Sequence, residues 1–121
     1  MALVPRVLEA RGLDVAPPMI KKLKAAGDHT SADILQIIYE DEIEHVGIGN
    51  RWYNHVCDER GLSPSEVFTG LLKEHSRGVL RGPYNTIARV QAGFSEDELE
   101  ALAIIEREFR ENAVTAKPCP A

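Results

Sequence analysis

Residues 28–59, DHTSADILQIIYEDEIEHVGIGNRWYNHVCDE, constrain the fold more than any other stretch of this sequence, because they read as one long helix. Asp28, Thr30 or Ser31 can cap its start, and apolar residues recur at three- and four-residue steps as far as about Glu59. A helix of that length buries its apolar side only against other elements, so the flanking segments decide the architecture.

Those segments are also helical in pattern. ALVPRVLEARGLD reads as a helix tail ending near Gly12, with Pro5 tolerated in a first turn. APPMIKKLKAAGD reads as a separate helix that opens at its prolines, carries Met19, Ile20 and Leu23 on one side and stops at Gly27. RGLSPSEVFTGLLKEHSRG predicts a turn and a shorter helix capped by Ser63 or Ser65. LRGPYNTIARVQAGF, with Gly82–Pro83 and Asn85, is expected to be mostly loop. SEDELEALAIIEREFREN predicts a last amphipathic helix, with acids in its first turn where the helix dipole favours them. No stretch alternates with period two between turns, so the expected class is all-α. Residues 1–112 are expected to form one helical bundle domain, and residues 113–121 a flexible tail.

The 121 residues suit a single domain with one modest core. No apolar run approaches the roughly 20 residues of a membrane span, and MALVPRVLEARG has neither the basic start nor the apolar middle of a signal peptide. Cys57 and Cys119 match no zinc spacing, which points to a reducing, cytoplasmic setting. A net charge of −5 argues against nucleic acid as the main partner, because binding to phosphate rests on clustered cations. Lys21, Lys22 and Lys24, with Arg77, Arg81 and Arg89, are expected on solvated surface. The sequence has no Gly-rich phosphate loop, no G-x-S-x-G elbow and no paired C-x-x-C.

The long helix holds two polar residues within its apolar stripe. At about 100° per residue, with Glu42 as zero, Leu35 falls near 20°, Ile38 near −40°, His45 near −60° and Val46 near 40°. Gly49, Trp52, Tyr53 and Val56 lie within about 80° of the same direction, and Tyr39 and Cys57 lie near 60°. Glu42 and His45 are therefore expected to point inward with the apolar residues. A buried carboxylate needs compensation, which a metal ion or a hydrogen-bonded core partner would each provide. Glu-x-x-His is the spacing by which inward-facing helices hold a di-iron or di-manganese pair, since residues three apart reach one ion. Glu9 in RVLEARG is the best further carboxylate from another helix. Cys57 is read as a small packed residue, and Tyr39, Arg11 and Asn50 as packing or surface groups within reach of such ligands.

ALVPRVLEARGLDV, AAGDHTSADILQIIYEDEIEHVGIGNRWY and RGPYNTIARVQAGFSEDEL together resemble the C-terminal part of a family of ferritin-like proteins distantly related to tRNA-hydroxylase-type di-iron proteins. The resemblance covers most of the chain, and LEARGLD and DEIEHVGIGNRW are its most specific parts. It implies a ferritin-like four-helix core and a carboxylate-bridged centre of two iron or manganese ions. It also implies an oxygen-activating oxidoreductase acting on a small molecule or a tRNA, with Glu9, Glu42 and His45 as metal ligands. The family pattern includes an earlier helical pair with another glutamate and another Glu-x-x-His. Here His29, His55 and His75 follow Ala26, Trp52 and Leu72 by three, so one chain is expected to hold about half a ligand set. Either the chain is a remnant that binds metal weakly or not at all, or two copies pair as a homodimer to complete the bundle. A non-catalytic helical interaction module is the alternative reading.

Overall fold

The computed structural model describes residues 3–75 and 80–115, and among them helices are the only regular secondary structure. A π-helical turn, Val4–Glu9, leads into α1 (Arg11–Ala25), α2 (His29–Glu59), α3 (Pro64–His75), α4 (Thr86–Gln91) and α5 (Glu96–Thr115). The all-α expectation is met. The long helix has the predicted limits: the Asp28 carboxylate accepts a hydrogen bond from the Ser31 N–H at 3.1 Å and caps its first turn. Gly27 and Gly61, at φ of 81° and 66°, close α1 and α2. At each end the amide three residues beyond the helix reaches back, Asp28 to the Leu23 carbonyl and Leu62 to the Cys57 carbonyl.

α1 and α2 form an antiparallel hairpin and make the most extensive contact between elements. Toward the end away from the Gly27 turn, Gly12 lies opposite Glu42, and further out Gly49 lies opposite Pro5 of the π-helical turn. α3 packs against α5, and the core between the layers contains Leu13, Val46, Phe68, Leu72, Phe94 and Leu102. Cys57 is buried in this core, as expected.

One expectation is corrected. Gly12 and the Pro17–Pro18 pair do not divide the first segment, since α1 runs through all three. Proline lacks the N–H that would bond back four residues, so Pro17 leaves the Leu13 carbonyl without its helical donor. That carbonyl accepts instead from Asn85 Nδ2 at 3.0 Å, so the helix continues with its ladder repaired from outside. Residues 80–94 are mostly loop, as expected, with nine of the fifteen outside helix, but they also hold the short helix α4. Asn85 caps α4 there by accepting from the Ala88 N–H. α5 continues to Thr115, three residues into the expected tail; residues 116–121, with Cys119, lie outside the described residues, as does Arg77.

Candidate metal centre and its supports

Glu42 and His45 sit one turn apart on α2, with His45 Nδ1 3.6 Å from Glu42 Oε2. The side chains are 24% and 61% exposed for Glu42 and His45 respectively, so the expectation that both turn into the core of the single chain is corrected. The reason lies in the breadth of the apolar stripe. One flank, with Val46, Tyr53 and Cys57, faces the core, while the other, with Ile34, Ile38, Ile48 and Trp52, is open. His45 belongs to the open flank. Glu42 lies at the border, its Cγ against Gly12 of α1.

Glu9 is exposed at the end of the π-helical turn, one residue before the junction with α1. π-Helical turns are rare and recur at functional sites, and this one carries the predicted carboxylate. Its widened hydrogen bonds are explicit, with the Ala10 N–H donating to the Pro5 carbonyl at 3.2 Å. The structure thus brings Glu42 and His45 together and leaves Glu9 on the adjoining element. Among the described residues no group of three or more His, Cys, Asp or Glu is placed to hold a metal ion. As a test of fit, the donor chemistry is right, with carboxylate oxygen and imidazole nitrogen on one face, but the chain on its own offers one close pair of donors.

Behind this face lie two buried ion pairs. Arg6 is fully buried, pairs with Glu98 of α5, and donates from Nε to Asn50 Oδ1 at 2.7 Å. Its guanidinium carbon lies 4.1 Å and 4.2 Å from the ring centres of Tyr53 and Phe68, a cation–π arrangement. Burial holds the Arg6 guanidinium below its usual pKa, with Glu98 acting in the opposite sense. Asn50 in turn donates to the Ala92 carbonyl at 2.7 Å, joining α2 to the end of α4. Glu98 also accepts from the Ser95 N–H, and its own N–H donates to Ser95 Oγ, so one side chain serves a capping box and an ion pair.

The second pair is Arg89 with Asp14, bidentate at 2.9 and 2.7 Å. Asp14 Oδ1 accepts the Asn85 N–H as well, and Asn85 Nδ2 donates to the Tyr39 hydroxyl at 2.9 Å. Tyr39 thus hydrogen-bonds the loop before α4. Arg89 and Asn50, expected among surface residues, are instead 3% and 2% exposed. Lys21, Lys22, Lys24 and Arg81 are exposed as expected, and Arg11 donates to the Arg81 carbonyl. A sequence signal for Glu98 exists: it lies four residues before Leu102 and seven before Ile105, on the buried line of α5.

Burial also pushes the Tyr84 hydroxyl above its usual pKa, with the nearby charge of Glu106 adding to the effect. Tyr53 is raised for the same first reason, and its hydroxyl donates to the Pro64 carbonyl at 2.6 Å. No helix among the described residues is long and apolar enough to cross a membrane.

Comparison with known proteins places residues 1–100 within a family described as "Protein of unknown function (DUF455)". A relative from Haemophilus influenzae, named "Uncharacterized protein", is 46% identical over 110 residues, which cover 91% of this chain. The match takes in 38% of that relative's length. No solved structure matches the chain.

Proposed function

The chain belongs to the DUF455 family, and on that footing we propose that it is a ferritin-like metal-binding protein whose Glu9, Glu42 and His45 hold iron or manganese. The observation that carries this reading is the Glu42–His45 pair, 3.6 Å apart at the edge of an open apolar face. Oxygen and nitrogen donors three residues apart on one helix reach a common ion. A single pair leaves coordination positions to fill, and a second copy of the chain would supply a second set and complete the bundle. Glu9, Glu42 and His45 would hold the ions, whose open positions would bind and activate dioxygen or peroxide as the oxidant of a substrate, so that oxygen-activating oxidation is the reaction class of this reading.

The chain's own residues prepare that face. Gly49 admits Pro5, so the π-helical turn with Glu9 lies along α2. The Arg6–Glu98–Asn50 network fixes that turn against α5 and α4.

Elemental analysis of protein grown with iron and manganese tests the reading. Two ions per pair of chains are expected, with loss of metal in Glu42→Ala and in His45→Ala at unchanged helicity. Metal content unaffected by both substitutions would reject the site. The competing reading, a helical interaction module without bound metal, is favoured by the open stripe itself. It gains if purified protein self-associates with no metal.

A further inference from the structure

The open flank of α2 has an internal symmetry. Ile34, Ile38, Asp41, His45, Ile48 and Trp52 follow one another at steps of four, three, four, three and four residues. This is the spacing of a coiled-coil seam, and it runs through the middle of a 31-residue helix. Ile34, Ile38 and Trp52 are each more than half exposed, and the His45 side chain is 61% exposed. Reversed end for end about Ile43, the series maps onto itself. Ile34 falls on Trp52, Ile38 on Ile48, and Asp41 on His45.

Resting on the reading that a second copy completes the bundle, we propose that two chains pair through antiparallel α2 helices about a two-fold axis at Ile43, with Asp41 of each facing His45 of the other. The pattern selects this occupant because it is self-complementary in both apolar and polar positions. A two-fold contact requires residue i to meet j wherever j meets i, and the six positions satisfy this without exception. In this register the apolar layers are isoleucine on isoleucine and isoleucine on tryptophan. Each His45 lies between its own Glu42 and the partner's Asp41. The two Glu42 side chains flank the axis on adjoining positions, where carboxylates from both copies converge. The pairing therefore gathers the donors that one chain lacks.

The experiment is a disulfide test of register in protein with Cys119→Ser and the buried Cys57 retained. Residues 38 and 48 of one helix are about 15 Å apart, too far for a bridge within a chain. Under mild oxidation the double variant Ile38→Cys/Ile48→Cys is expected to run as a covalent dimer. Each single variant stays monomeric, and a mixture of the two singles links to each other only. Sedimentation of the unmodified chain should give a dimer, and Ile38→Glu should shift it to monomer at unchanged helicity.

A chain that sediments as monomer at every concentration overturns the pairing, as does crosslinking by single Ile38→Cys as efficient as by the double variant. Uptake in trans of the additional segment of the Haemophilus influenzae relative by a monomeric chain also overturns it. Metal analysis separates the two ideas: a crosslinked dimer without metal keeps the pairing and rejects the metal reading, whereas a metal-loaded monomer does the reverse.

Discussion

Arg6 carries its charge out of reach of water, and its carboxylate partner lies 92 residues further along the chain. Removing one member of such a pair strands the other, at a cost of about 3–5 kcal/mol. Urea unfolding of Glu98→Gln should show a loss of that size, and Arg6→Met/Glu98→Gln should recover part of it. Tyr53 and Tyr84 give the pH prediction. Their folded-state pKa values are raised, so the stability they contribute is complete below about pH 10, the usual tyrosine value. It is lost as pH rises further, because the unfolded chain then releases protons that the folded chain keeps. Denaturation midpoints should therefore fall above about pH 10, and less steeply in Tyr84→Phe. The Glu42–His45 spacing was legible in the sequence because both residues lie on one helix. The buried charges were not, because an arginine on an amphipathic helix reads alike whether it meets water or a distant glutamate.

Helices with local signals are those that the sequence locates. α2 and α5 each begin at a residue whose side chain caps the first turn, and α2 ends at a glycine turn. α1 was misread because Pro17 and Pro18 ordinarily mark a helix start, and the group that repairs the ladder comes from Asn85, 72 residues away. α4 was missed for a related reason: six residues carry too little periodicity, and its anchor is the Arg89–Asp14 pair. The α1–α2 hairpin yields a paired prediction. A Cβ on Gly49 would sit 2.7 Å from Pro5 Cβ, whereas one on Gly12 would meet Glu42 Cγ at an ordinary 3.7 Å. Gly49→Ala should cost about 1–3 kcal/mol through overpacking, and Gly12→Ala should gain up to about 1 kcal/mol from helix propensity. Thermal unfolding of the two variants should move in opposite directions.

For the molecule as a whole, the open face of α2 sets the expected solution behaviour. If two copies share that face, the melting temperature should rise with protein concentration, and Ile38→Glu should abolish the dependence. Composition and helical periodicity made the all-α class legible, but the division of α2 into a core flank and an open flank depends on where α3 and α5 settle. Pro17 has a longer reach than its position suggests. By leaving one carbonyl of α1 free, it creates a socket that Asn85 fills, so an apparent flaw in one helix is what recruits the other half of the chain. Pro17→Ala would let α1 satisfy itself and evict its guest. Amide exchange around residues 84–90 should then quicken although the altered helix is intrinsically the better one.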